Sequence, residues 1–213
     1  MQKILDDWKL RLIALATEGS QDDGAHDINH LNRVWKTAQK LLAHHPQADP
    51  MVVQAACYLH DIVNLPKNHP ERTQASRWAA RLACEKLAQA GFPPDKLEAV
   101  RHAIEAHSFS AGITPLTVEA MIVQDADRLD ALGAVGLARL FYTAGRMGSA
   151  FAHPTDPLAE QRELDDHAYA LDHIELKLAK LPSSMHTAAG RKLGEAQLEW
   201  LQAFRTAFIA EWD

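Results

Sequence analysis

Apolar residues recur every three or four positions along most of the chain, which is the spacing that places them on one face of an α-helix. The first such stripe runs from Ile4 through Trp8 and Leu12 and ends before Gly19. Similar stripes predict further helices over residues 29–44, 73–90, 93–107, 165–181 and 186–211, with one or two helices over 118–140. Alternating strand patterns are nearly absent. The pattern predicts an all-α fold, a bundle of helices.

The most apolar helix of the pattern ends in an ionisable pair. Asp49 and Pro50 predict its start, because aspartate caps helix N-termini and proline fits the first turn. The run MVVQAACYLHDIV follows, and in it His60 shares a stripe with Val53. The adjacent carboxylate of Asp61 is costly in such a run unless it is paired or bound to a metal. The pair therefore predicts part of a metal site.

Two further segments can complete this site. His30 shares a helical face with Val34 and Leu41, so its imidazole is expected to point inward. The segment QDADRLDAL offers Asp125 and Asp127, which lie on different faces that are both apolar, and periodicity leaves the choice between them open. Two imidazoles with two carboxylates suit a divalent ion such as manganese, nickel, cobalt, iron, magnesium or zinc.

Composition narrows the classes of partner. The chain has 213 residues, 47% hydrophobic and 23% charged, which suits one folded domain rather than a disordered chain. Its formal charge of −6 disfavours nucleic acid and anionic membranes as partners. Cys57 and Cys84 are not spaced as a metal motif and are expected to be reduced thiols. No signal peptide or membrane span is evident, so we expect a cytoplasmic protein.

The ordered set of candidate ligands carries a family resemblance. The segment HLNRV begins at His30, the pair His60-Asp61 follows, and the segment ADRL contains Asp127. This H…HD…D order resembles the signature of the HD-domain metal-dependent phosphohydrolases, and the likeness to small stand-alone bacterial members covers nearly the whole chain. The resemblance implies that His30, His60, Asp61 and Asp127 bind the metal. It also implies a single unit over residues 1–213, with an HD core at about 20–145 and a helical extension at about 155–213.

Groups near the metal-bearing helix suggest how a phosphate is bound. Lys67, His69 and Arg72 form a local cluster of basic side chains, and Arg and Lys are common phosphate ligands. His107 lies on the same predicted helical face as Ile104 and is expected to point inward, as a catalytic or phosphate-binding group. In relatives with more than one metal, histidines at positions like His69 and His107 add ligands. One metal is expected, and a second is left open.

One position departs from the family pattern. Several relatives carry an acidic residue three or four positions after the aspartate that corresponds to Asp61, whereas this chain has Asn64 there. Asn64 can form hydrogen bonds but cannot act as a general base. The candidate catalytic groups are therefore Asp61, His69 and His107, with Asn64 as a hydrogen-bonding group. Glu71 and water activated at the metal are further candidates for the general base.

The resemblance implies hydrolysis of a phosphate ester or anhydride in a small molecule, most plainly a nucleotide. Cleavage of a nucleoside triphosphate to monophosphate and pyrophosphate is favoured. The alternatives are a nucleotidase or phosphodiesterase of the same superfamily, a non-catalytic protein that senses a nucleotide, and an oxygenase with a di-iron centre. A monomer and a homodimer are both compatible with the sequence.

Overall fold

Helices make up the regular structure of the protein. The computed structural model describes residues 2–18, 28–63, 65, 69–108 and 111–212. Over these residues the chain forms nine α-helices and no β-strand, with one isolated backbone bridge between Ala150 and Tyr169. The prediction of an all-α fold is confirmed. Within the same residues, none of the helices has the length and apolar character that crossing a bilayer requires.

The chain divides into two compact units, Met1–Asp127 and Arg128–Asp213. The helices of the first unit are α1 (Gln2–Thr17), α2 (Ile28–Leu42), α3 (Pro50–Leu59), α4 (Ala75–Gln89), α5 (Leu97–His107) and most of α6 (Val118–Leu129). Single 3-10 turns precede α4 and α5.

Helix α3 is the central element of the first unit, where it packs against α1, α2 and α5. Its start is as predicted: the Asp49 carboxylate accepts a hydrogen bond from the Met51 amide at 2.9 Å, and Pro50 occupies the first turn. Every residue from Met51 to Leu59 is buried, which explains why the sequence of this helix is apolar on all faces. The helix ends at Leu59 and His60 is its C-cap, so the His60-Asp61 pair lies directly after a buried helix.

Helices α2, α5 and α6 bring polar groups to the same interior. His30 is fully buried in the first turn of α2, on the face that also buries Val34. His107 is the last residue of α5 and is also buried. In α6 the five residues from Ile122 to Ala126 are all buried, so this helix has no solvent-exposed face along that stretch.

The second unit contains α7 (Gly133–Met147), α8 (Asp172–Leu176) and α9 (Ala188–Ala210). The prediction of one helix over residues 165–181 is wrong: only the five residues of α8 are α-helical there, followed by 3-10 turns. Backbone groups of the preceding segment bond elsewhere, since the Ala150 amide donates to the Ala168 carbonyl and the Ala170 amide donates to the Ala150 carbonyl. A helix needs those groups for its own ladder.

A close approach within the second unit gives a stability prediction. The region 118–140 forms two helices, and near their junction a Cβ atom on Gly136 would lie 2.2 Å from the carbonyl carbon and oxygen of Ala131. Because the obstacle is backbone, we expect Gly136→Ala to lower the free energy of unfolding by about 1–3 kcal/mol, measured by urea denaturation.

Gly145→Ala is the matched control in the same helix. A Cβ atom on Gly145 meets nothing within 4 Å, so this change should leave stability unchanged or raise it by up to about 1 kcal/mol through helix propensity. Equal stability of the Gly136→Ala and wild-type proteins would contradict the close approach to Ala131.

Candidate metal centre

Two buried imidazoles face each other across α2 and α3. The Nε2 atoms of His30 and His60 are 3.2 Å apart, and the ring centroids are 5.3 Å apart at an interplanar angle of 66°. The Nδ1 atom of His60 is 2.9 Å from the carbonyl oxygen of Cys57, to which it donates a hydrogen bond. Nε2 of a neutral His60 therefore carries the lone pair. Burial lowers the pKa of His60 to about 4, although the nearby Asp61 carboxylate acts in the opposite direction. The imidazole of His60 is therefore neutral at pH 7.

Two carboxylates lie against the same pair of nitrogens. The Asp61 Oδ2 atom is 3.7 Å from His30 Nε2 and 3.5 Å from His60 Nε2. The Asp127 Oδ1 atom is 3.6 Å and 3.7 Å from the same two atoms. Asp125 is fully buried on α6 and belongs to neither of the metal-binding groups found among the described residues. The geometry therefore brings Asp127, rather than Asp125, to the two histidines.

His107 adjoins this cluster. Its ring centroid lies 4.7 Å from that of His60, and its Nε2 atom is 3.7 Å from Asp61 Oδ1. Its Nδ1 atom donates to the Ile104 carbonyl at 2.6 Å. Burial opposes the protonated form, but the carboxylate of Asp61, together with Asp127 and the bond to Ile104, raises the pKa of His107. The pKa values of the two neighbouring imidazoles are therefore shifted in opposite directions, down for His60 and up for His107.

The donor set fits a divalent transition-metal ion. Atoms bound about 2.0–2.2 Å from one such ion lie roughly 3–3.6 Å from each other, and the five separations measured among His30, His60, Asp61 and Asp127 run from 3.2 to 3.7 Å. Each carboxylate brings negative charge against the lone pair of His60, an arrangement that a cation stabilises. Together with His107, these residues form two overlapping groups that could hold an ion.

The remaining predicted site residues make other contacts or lie outside the described residues. The Nδ1 atom of His69 accepts a hydrogen bond from the Glu71 amide at 3.1 Å. Arg72 donates from Nη1 to the carbonyl oxygen of Leu65. Asn64 and Lys67 lie outside the described residues. The phosphate-binding role of this basic cluster stays a prediction.

Sequence reasoning missed a polar residue that supports the centre. Gln124 is buried on α6, and its Nε2 atom donates to the Ala106 carbonyl at 2.5 Å, which links α6 to α5 beside His107. The link lies three residues before Asp127. A glutamine inside the apolar run AMIVQDA is the available signal, because a buried amide needs hydrogen-bond partners.

All five clustered side chains lie within residues 27–132, which match the family model of the HD domain. This chain belongs to the HD-domain family. The family resemblance inferred from the H…HD…D order is thereby confirmed. The His60-Asp61 pair on which the resemblance was based lies within these matched residues, directly after α3.

Individual relatives are similar to this chain over most of its length. The chain is 29% identical over 189 residues to YpgQ of Bacillus subtilis, covering 87% of this chain and 83% of YpgQ. A crystal structure of YpgQ in complex with ADP matches with a TM-score of 0.71 at 28% identity, over 98% of this chain and 95% of that one. An HD-superfamily hydrolase from Bacillus thuringiensis matches with a TM-score of 0.72 at 26% identity, over 99% and 97% of the two chains.

Proposed function

We propose that this protein is a metal-dependent phosphohydrolase that cleaves a nucleoside triphosphate to the monophosphate and pyrophosphate. The observation that carries the proposal is that Asp61 and Asp127 each have a carboxylate oxygen within 3.7 Å of the Nε2 atoms of both His30 and His60, which are themselves 3.2 Å apart. In an HD-domain chain with a hydrolase among its structural neighbours, such a donor set supports hydrolysis.

The four side chains would hold the ion through two nitrogens and two carboxylate oxygens. A divalent ion, when bound, supplies a Lewis acid that polarises a phosphoryl oxygen and lowers the pKa of water. The hydrogen bond from His60 Nδ1 to the Cys57 carbonyl fixes the ring so that Nε2 faces the cluster. Histidine ligands are commonly oriented in this way by a bond at the other ring nitrogen.

The protein's other groups would bind and protonate the substrate. His107, with its Nε2 atom beside Asp61 and its Nδ1 atom bonded to Ile104, is oriented to hold a proton toward a phosphate or leaving-group oxygen. Lys67, His69 and Arg72 would neutralise phosphate charge, as a chain of net charge −6 requires locally. Asn64 would contribute hydrogen bonds only.

The choice of a nucleotide rests on a relative. YpgQ has been crystallised in complex with ADP, and it aligns with this chain over nearly its full length. A nucleoside diphosphate bound by that protein supports a nucleotide as the substrate class here. The favoured reaction adds water across the anhydride bond between the α- and β-phosphoryl groups, so that the monophosphate and pyrophosphate are the two products.

The test is turnover of a nucleotide panel by metal-stripped protein resupplied with Mn²⁺, Co²⁺, Ni²⁺, Mg²⁺ or Zn²⁺, with pyrophosphate and orthophosphate followed separately. We expect pyrophosphate from triphosphates in at least one metal, and no product from Asp127→Asn protein purified in the same way. Orthophosphate from monophosphates would make the protein a nucleotidase. Nucleotide binding without any product would instead indicate a sensor, and consumption of oxygen an oxygenase.

A further inference from the structure

A hydrogen bond between side chains crosses from α2 to α3 beside the two histidines. The hydroxyl of Tyr58 donates to Asn32 Oδ1 at 2.9 Å. Tyr58 is fully buried, whereas Asn32 is partly exposed. A buried phenol needs such a partner because an unsatisfied hydroxyl in an apolar interior is costly. We call the bonded pair Tyr58 and Asn32 the cross-helix strut.

The strut and the histidine pair follow from the same alignment of α2 against α3. His30 contacts His60, and two residues later on α2 Asn32 contacts the residue two positions earlier on α3, Tyr58. The two helices therefore run antiparallel through both contacts. A sliding or rotation of α3 against α2 that changes the distance between the imidazole nitrogens must also stretch or break the strut.

Apolar packing alone supplies no such constraint. The buried residues of α3 between Met51 and Leu59 are apolar apart from Gln54 and Tyr58. Van der Waals contacts among apolar side chains tolerate small shifts, whereas a hydrogen bond is sensitive to both distance and direction. Gln54 bonds elsewhere, from Nε2 to the Leu5 carbonyl of α1 at 3.1 Å, so it constrains a different pair of helices.

We propose that Tyr58 and Asn32 are positioning residues that hold His30 and His60 at the separation that metal binding requires. The inference rests on the metal centre proposed above. Metal sites depend on ligand positions being held to within about 0.5 Å by supporting contacts. The strut lies two residues from His30 along α2 and two residues from His60 along α3.

The experiment titrates metal-stripped protein with Co²⁺, with calorimetry for affinity and visible absorption for ligand geometry. The variants are Tyr58→Phe, Asn32→Leu, the double variant, and Gln54→Met as the matched control. We expect each single strut variant to bind Co²⁺ about 10- to 100-fold more weakly, the range found when groups that support metal ligands are removed. We also expect an altered Co²⁺ spectrum. The double variant should be no weaker than the weaker single one, because both remove the same bond.

Gln54→Met separates positioning from stability. It removes a buried hydrogen bond of the same helix, and whatever its melting temperature it should leave the Co²⁺ affinity within twofold of wild type and the spectrum unchanged. Tyr142→Phe, at an exposed tyrosine of α7, controls for the loss of a hydroxyl in general.

Several outcomes overturn the proposal. Tyr58→Phe protein with wild-type Co²⁺ affinity and spectrum would show that the strut does not set the ligand spacing. Losses that multiply in the double variant would show that the two residues act separately. If Tyr58→Phe fails to fold, Asn32→Leu alone decides, since Asn32 is only partly buried. Wild-type protein that binds no Co²⁺ refutes the metal centre itself, a result distinct from failure of the strut.

Discussion

We expect Asp61→Ala to abolish metal retention and nucleotide hydrolysis together. The Asp61 carboxylate has one oxygen within 3.7 Å of both His30 and His60, and its other oxygen is 3.7 Å from His107. Its loss therefore removes a metal ligand and the acidic partner of His107 at once. Turnover should fall on the order of 10³-fold or more, as expected when electrostatic stabilisation at a reacting phosphate is lost. Metal content by mass spectrometry and pyrophosphate release are the two readouts.

The fold of the Asp61→Ala protein should survive. In the metal-free protein Asp61 and Asp127 place two acidic groups against the same imidazoles, so removal of one relieves repulsion as well as removing a contact. We expect the metal-free variant to melt within a few degrees of metal-free wild type, while only wild type gains stability when metal is added. Asp7→Ala, at an exposed aspartate of α1, is the control and should behave as wild type. An active Asp61→Ala protein without metal would refute the assignment.

Asp172→Ala should be the most destabilising change in the second unit. The Asp172 side chain is only 1% exposed, and its carboxylate accepts hydrogen bonds from both terminal nitrogens of Arg162, at 2.6 and 2.8 Å, and from the Asp165 amide at 2.8 Å. Removing it leaves the Arg162 guanidinium, 16% exposed, with backbone carbonyl acceptors but without the carboxylate that balances its charge. We expect the free energy of unfolding to fall by about 3–5 kcal/mol, measured by chemical denaturation.

Glu175→Ala is the matched control for this pair. Glu175 lies on the same short helix α8 and accepts from Arg205 at 2.8 Å, but the two side chains are 34% and 22% exposed. Water screens such a pair, so its loss should cost less than about 1 kcal/mol. Similar losses for Asp172→Ala and Glu175→Ala would contradict the view that burial makes the Arg162–Asp172 pair important.

The ligand residues illustrate how far sequence reasoning reaches. Burial of His30 and the capped start of α3 at Asp49 followed from spacing and from residue chemistry. The choice between Asp125 and Asp127 did not, because α6 is buried on every face along that stretch and the apolar pattern marks no inward side. Only the family resemblance favoured Asp127, the residue whose carboxylate the structure brings to the imidazoles.

The segment before α9 shows what local patterns omit. Apolar spacing over residues 165–181 favours a helix, yet the Asp172 carboxylate binds Arg162 and the Asp165 amide, and nearby backbone groups bond to Ala150 and Phe151. Ala150 and Phe151 lie 20 residues before Ala170 and Leu171, the residues whose amides bond to them, so the helical pattern of the segment itself does not reveal these bonds. The same holds for the strut, whose Tyr58 and Asn32 are 26 residues apart.

The order of the clustered side chains along the chain has a kinetic consequence. They occur at positions 30, 60, 61 and 127, on or beside three different helices, so they converge only after α2, α3 and α6 have assembled. Loop-closure entropy makes such distant convergence a late event in folding. A cation bound by these side chains would stabilise the native state but not the transition state for folding. Metal should therefore prolong the lifetime of the folded chain, through slower unfolding, while the rate of folding stays the same.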